Sequence, residues 1–82
     1  MNASFLHVEE AKYLDHYRIH LRFSDSSSGI VDLRDHLVGE VFEPLKSEDI
    51  FKQFALESGT LGWQNGADFA PEFLRELLLV LA

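Results

Sequence analysis

Four histidines, fourteen carboxylates and seven serines carry most of the chemistry this sequence offers. His16 and His20 are the first pair to weigh as metal ligands. Four residues along a strand span about 13 Å, and zinc holds its nitrogens at about 2 Å, so one strand alone cannot bring both to one ion. A Ser-His-Asp set can be drawn from the serines between Ser24 and Ser28, His7 or His36, and Asp25 or Asp32. No GxSxG elbow accompanies it, and that serine run reads as turn chemistry. The closest acid pairs are Glu9-Glu10, Asp32 with Asp35, and Glu48-Asp49. None sits in an evident apolar pocket that would raise a carboxyl pKa. Neither GxGxxG nor GxxxxGK[ST] occurs, and Gly59-Thr60-Leu61-Gly62 is too short and lacks the lysine of a phosphate cradle. No catalytic residue, metal ligand or cofactor is expected.

Apolar periodicity supplies the elements that must position these groups. Phe5 to Tyr13 reads as a strand, with Glu10 and Lys12 breaking the alternation toward a bulge or an edge. Leu14-Asp15-His16 is the expected turn. Tyr17, Ile19, Leu21 and Phe23 then alternate with Arg18, His20 and Arg22, the pattern of a half-buried antiparallel strand. Its wet face would expose Arg18, His20 and Arg22 as a stripe. If Glu9 lies opposite Arg22, the ion pair is worth about 0.2–1 kcal/mol. Ser24 to Gly29 is a loop, and Ile30 to Leu33 completes a meander. Arg34 to Leu37 suits one helical turn. Val41, Phe42 and Leu45 cross the core irregularly, with Pro44 excluding helix there. Ser47 is a good N-cap for a helix over 48–54. Leu56 begins a short extended piece, Glu57-Ser58-Gly59 turns, and Thr60 to Trp63 is a last strand. Pro71 opens a helix carrying Phe73, Leu74, Leu77, Leu78 and Leu81. The expected fold is one α+β domain over residues 1–82: a small antiparallel sheet, a three-strand meander plus a short C-terminal strand pair, with two short helices.

The most unusual stretch runs from Trp63 to Glu72. The lone Trp leaves its strand, Asn65-Gly66 supplies a tight turn, and a Pro-started helix follows. Structurally, Trp63 and Phe69 close the core, while Asp68 hydrogen-bonds N–H groups near the coming helix. Functionally, Trp63, Asn65, Asp68 and Glu72 form a candidate interaction or ligand site.

Composition narrows the classes further. Seven Lys and Arg stand against fourteen Asp and Glu, a net charge of −7. That balance argues against nucleic acid as a direct partner, since phosphate contacts need cations. With no Cys, disulfides and thiolate chemistry are excluded. The N-terminus lacks a basic n-region and an apolar h-region, and no apolar run approaches the roughly 20 residues of a spanning helix. A cytoplasmic protein without membrane contact is expected. Near the C-terminus Leu74, Leu77, Leu78 and Leu81 form one helical stripe, which leaves Leu79 and Val80 on the other side. That second apolar side predicts a homodimer, or a pairing with another protein, through the C-terminal helix.

Three segments resemble the bacterial domain-of-unknown-function family 2442. They are Leu21-Arg22-Phe23-Ser24-Asp25 with Gly29-Ile30-Val31-Asp32-Leu33, then Gly39-Glu40-Val41-Phe42-Glu43-Pro44-Leu45, then Gly59 to Leu74. The third is the most specific, resembling a Trp-Pro-Asn-Gly-Ala-Asp signature followed by Ala/Ser-Pro-Glu, with Gln64 in place of the proline. The resemblance implies a small α+β fold and supplies no activity. Some relatives neighbour a second small family, domain-of-unknown-function 4160, in a layout like a toxin–antitoxin pair; others carry a helix-turn-helix domain. These features lead to an expected function: a non-enzymatic protein-interaction module, antitoxin-like, acidic, and facing a small basic toxin-like protein. The alternative is a small-ligand-sensing or regulatory domain with its site near Trp63, Asn65 and Asp68.

Overall fold

The period-two apolarity becomes an antiparallel meander. The computed structural model describes residues 6–78. Within them β1 (Val8–Asp15), β2 (Arg18–Phe23) and β3 (Ser28–Asp32) pair in chain order. Ile19, Leu21 and Phe23 are fully buried, and Arg18, His20 and Arg22 between them are exposed. β1 is irregular between Val8 and Glu10 and again between Tyr13 and Asp15. The first of these is the break that Glu10 signals in sequence.

The turn between β1 and β2 is displaced from Leu14-Asp15-His16. Asp15 pairs with Arg18, so His16 and Tyr17 alone make the bend. Both have positive φ, 47° and 68°, the type I′ form whose twist matches the flanking strands. For residues with a Cβ this backbone costs about 1–2 kcal/mol each. Contacts over-determine it. The Tyr17 hydroxyl donates to the Lys46 carbonyl, its ring meets Phe51 edge-on at 5.1 Å, and the Arg34 guanidinium lies over its face. The His16 N–H donates to Glu48. Tyr17 is therefore a turn residue rather than the first position of the strand.

The β2–β3 loop is shorter than Ser24 to Gly29. It consists of Ser24-Asp25-Ser26, with Ser26 at φ 74°, and Gly29 is a buried strand residue opposite Leu21. Asp25 organises the loop by accepting from both the N–H and the hydroxyl of Ser27. Its other oxygen accepts from Arg75 at 3.2 Å. The Ser27 bonds first, and Arg75 after them, hold the Asp25 carboxyl down at about 2. A carboxyl depressed below its unfolded value of about 4 stabilises the fold above that pH and loses this contribution as pH falls through about 2. Asp25→Asn should therefore be less stable than the parent at neutral pH. Urea titrations between pH 5 and pH 2 should show the two converging; a constant gap would mean the carboxylate charge contributes nothing.

The second half builds another antiparallel sheet. β4 (Ala55–Glu57) and β5 (Thr60–Gly62) are the expected pair, and β6 (Asp68–Phe69) adds a third strand on β5. Asp68 sits on β6 opposite Gly62. α2 begins with Pro71 at its first position, after Ala70, and has no side-chain cap, so Asp68 does not serve as one.

Both α-helices are shorter than their apolar spacing predicts. α1 is Glu48–Phe51 and α2 is Pro71–Glu76. The Phe51 carbonyl would accept from residue 55 in a continuing helix. Instead it accepts the Trp63 indole N–H at 2.7 Å, and Ala55 begins β4. Ser47 stands at the α1 N-cap, where its carbonyl accepts from Ile50 and Phe51 while its hydroxyl makes no cap bond. Leu74 is fully buried, and Leu77 and Leu78 are half-buried against the core. Leu79, Val80 and Leu81 lie outside the described residues, so the expected self-association contact does too.

Pro44 excludes α-helix but not the 3₁₀ form, which runs over Glu40–Lys46 after a single 3₁₀ turn at Arg34–His36. In a 3₁₀ turn each carbonyl accepts from the N–H three residues on. For Val41 that donor would be residue 44, and proline has none. Asn65 fills the gap: its Nδ2 donates to the Val41 carbonyl at 2.9 Å.

One core joins the two sheets. Ile19, Leu21, Phe23, Val31 and Leu33 pack in the same cluster as Leu45, Phe51, Leu61, Phe69 and Leu74. Aromatic contacts run through it from Tyr17 to Phe51 (5.1 Å), Trp63 (5.5 Å), Phe69 (5.9 Å) and Phe73 (5.7 Å). The Val8 N–H donates to the Gly59 carbonyl at 2.7 Å, which ties the start of the meander to the β4–β5 turn.

Candidate functional site

Trp63 leaves β5 at the point where the 3₁₀ segment, α1 and the second sheet converge. Its ring is buried, with 7% of the residue exposed, between Phe51, Phe54 and Phe69. The remaining edge lines a solvent-open cleft of about 640 Å³. Pro44 and Leu45 form one wall, Ile50 and Gln53 a second, and Ala55, Glu57 and Gly62 a third, with Gln64 and Asn65 at the rim. A smaller recess of about 200 Å³ adjoins it, lined by Glu57, Ser58, Thr60, Gly62, Gly66 and Asp68. Glu57, Gly62 and Trp63 belong to both.

The loop after Trp63 fixes the rim. The Gly66 N–H donates to the Trp63 carbonyl, and the Trp63 N–H donates to the Ala67 carbonyl. With Gly66 at φ 95°, this is a three-residue hairpin loop whose last position needs the left-handed conformation. Asn65 has both amide atoms committed: Oδ1 accepts from the Ala67 N–H at 3.1 Å, and Nδ2 donates to Val41. It is a strut between the two rims of the cleft. Asn65→Asp can keep the first bond but not the second, and it sets a carboxylate against a carbonyl oxygen. The expected cost is about 1–2 kcal/mol by urea denaturation, with Asn65→Ala similar or greater. A change below about 0.3 kcal/mol would mean that water replaces the strut freely.

The electrostatics of the cleft are one-sided. The ionisable residues lining the two recesses are Glu57 and Asp68, and no Lys, Arg or His is among the lining residues. Neither acid forms an ion pair among the described residues. Elsewhere Arg18 pairs with Asp15, Lys46 with Glu43, Lys52 with Asp49, and Arg75 with Asp25. Arg22 bridges Glu9 and Glu10, and this pairing pulls the Glu10 carboxyl below its usual range. The exposed stripe of Arg18, His20 and Arg22 is thus largely neutralised by β1 and the turn beside it.

The other candidate groups stay dispersed. Glu72 is exposed on α2 and lines neither recess. His7 lies 3.6 Å from Glu9, His16 is in a turn, His20 is on the wet sheet face, and the His36 ring sits edge-on to Phe73. The Ser24 hydroxyl accepts from the backbone N–H of His7, and the Ser27 hydroxyl bonds Asp25. Among the described residues no three His, Asp or Glu side chains come together as metal ligands would. Burial, and then the bond to Glu48, pushes the Tyr13 phenol up to about 12, so it remains a donor at neutral pH.

Sequence reasoning named Trp63, Asn65 and Asp68 but missed Pro44, Ile50, Gln53, Glu57 and Gly62. Gly62 was the available signal. A glycine inside a strand often marks a close approach of a ligand or another backbone.

A family model described as "Protein of unknown function (DUF2442)" matches residues 8–78. The chain belongs to this family. No curated protein and no solved structure matches it. The matched span of the DUF2442 domain contains both sheets and both helices, so the cleft lies within the family's own module. Two of the three segments that carry the resemblance contribute to the lining: Pro44-Leu45 and Gly62-Trp63-Gln64-Asn65. No helix among the described residues of the DUF2442 domain is long and apolar enough to cross a membrane.

Proposed function

We propose that this DUF2442 domain is a protein-interaction module without catalytic activity, and that it holds a basic protein partner at the cleft beside Trp63. The cleft carries the reading: an apolar floor of Pro44, Leu45, Ile50 and Trp63 is bordered by carboxylates and amides, with no cation in its lining. A pocket of about 300–1,000 Å³ is the size that binding sites use. The net charge of −7 supports a basic partner, because opposite fields accelerate encounter and reject acidic competitors. Masking a small toxin-like protein, in a cytoplasmic setting, is the role that fits such a surface. The volume of the cleft also favours a second reading, a small-ligand sensor using the same walls.

Gly62→Val tests the site. A Cβ at position 62 meets the Ala67 carbonyl at 3.4 Å and the Asp68 Cβ at 3.6 Å, both ordinary contacts, so the valine should be accommodated at a residue that lines both recesses, which far-UV circular dichroism on the variant checks. Tagged parent chain purified from its native cells should bring down one stoichiometric basic protein that folded Gly62→Val loses. A partner kept by both chains would place the contact elsewhere. A small molecule carried by the parent alone would favour the sensor. Turnover on any hydrolase or phosphatase substrate that Asp68→Asn abolishes would overturn the non-catalytic reading.

A further inference from the structure

We infer that the two adjoining recesses form one two-part receptor for an extended basic segment: the larger takes an apolar side chain against Trp63, and the smaller takes the cationic head of a neighbouring lysine or arginine beside Glu57 and Asp68. The inference rests on the cleft being the contact surface and adds what is recognised there. The strand register sets the geometry. Ala55, Gly62 and Asp68 stand in one row across the three strands, and Glu57 and Thr60 stand two rows on, which puts them on the same face. Glu57 on β4 and Asp68 on β6 therefore border the smaller recess from the two outer strands, with Gly62 of β5 between them.

The chemistry of that recess is acceptor-rich. Besides the two carboxylates, the Thr60 hydroxyl donates its proton to the Phe69 carbonyl and so presents only its oxygen. An occupant must bring donors and positive charge, which a guanidinium or ammonium does and a carboxylate or phosphate cannot. The larger recess asks for the opposite. Its apolar lining includes Pro44, Leu45, Ile50 and Trp63, and Ile50 is 40% exposed. Because the two compartments share Gly62 and Trp63, the two side chains must come from adjacent positions or from one face of an extended chain. Residues two apart on such a face stand about 7 Å from each other. Lysine and arginine suit the join, since their methylene stems tolerate the apolar wall while the head reaches the acids.

The experiment is selection of a phage-displayed random heptapeptide library against the immobilised folded chain, repeated on Glu57→Gln/Asp68→Asn and on Gly62→Val. Both acids are exposed, so the double variant keeps the fold. The parent should enrich peptides that place a Lys or Arg next to, or two residues from, an aliphatic or aromatic residue. The double variant should lose the basic preference, keep the apolar one, and bind a parent-selected peptide about fivefold more weakly. Gly62→Val should enrich neither. Purely apolar peptides on the parent that Gly62→Val blocks would overturn the cation subsite and leave the cleft as the contact surface. Enrichment unchanged on the double variant would overturn it as well. No enrichment on the parent, or peptides indifferent to Gly62→Val, would overturn both readings.

Discussion

Trp63→Ala should cost about 3–5 kcal/mol, as removal of a large buried aromatic does. The loss has two parts. The ring contacts with Phe51, Phe54 and Phe69 disappear, and the Phe51 carbonyl at the end of α1 loses its donor. A domain of this size holds about 5–10 kcal/mol in all, so the variant population should be partly unfolded at room temperature. Trp63→Phe separates the parts, because it keeps most of the packing and removes only the indole N–H. It should cost about 1–3 kcal/mol, the penalty for a buried acceptor left unpaired. Urea denaturation followed by far-UV circular dichroism measures both. A loss below about 1 kcal/mol for Trp63→Ala would mean that the ring is a surface contact and that its burial carries little of the fold.

Gly59→Ala is the second large effect, and it comes from backbone geometry. Gly59 has φ 78°, and a Cβ there would stand 2.6 Å from the Cβ of His7 and 3.4 Å from its Cγ. His7 has no room to retreat. Its N–H is held by the Ser24 hydroxyl, its carbonyl accepts from the Ser24 N–H, and the next N–H, of Val8, donates to Gly59 itself. The left-handed backbone costs about 1–2 kcal/mol and the crowding about 1–3, so the total is about 2–5 kcal/mol. Gly66→Ala is the internal standard. It also has positive φ, at 95°, but nothing lies within 4 Å of its added Cβ, so only the backbone cost of about 1–2 kcal/mol applies. Equal losses at the two positions would show that His7 moves aside and that the junction between the sheets is soft.

What the sequence showed and what it hid divide along physical lines. Ile19, Leu21 and Phe23 announced their strand because alternation is a local signal, and the buried face follows from it directly. Asn65-Gly66 and Pro71 announced a turn and a helix start because Gly66 accepts the positive φ the turn needs and Pro71 fixes its own φ at a helical value. His16 and Tyr17 hid theirs. Neither residue favours positive φ, and the bend is held by Lys46, Phe51 and Glu48, far along the chain. β6 was invisible because two residues carry no period, and Asp68-Phe69 becomes a strand only by pairing with β5. α1 looked longer because Phe54 continues the apolar spacing, while its actual end is set by a bond from Trp63. The candidate site was legible at its rim, in the Trp63-Gln64-Asn65 loop. It was illegible at its walls, because Pro44, Ile50 and Glu57 meet only after four separate elements have packed. No period in a sequence encodes a concavity.

The bond between Asn65 and Val41 ties two distant positions into one heritable unit. The carbonyl that Asn65 serves is left open by the missing donor of Pro44. A residue with an N–H at position 44 should close that gap from within the 3₁₀ turn, and Asn65 would then be held only by the bond its Oδ1 accepts from the Ala67 N–H. While the proline stays, position 65 must supply a donor. Losses at the two sites are therefore non-additive, as they are wherever two groups share one partner. The order of substitution matters: replacing Pro44 first should lower the cost of changing Asn65 to that of its Ala67 bond alone, and replacing Asn65 first passes through a less stable chain. In this chain, change at Asn65 is gated by Pro44, a residue that lines the same cleft.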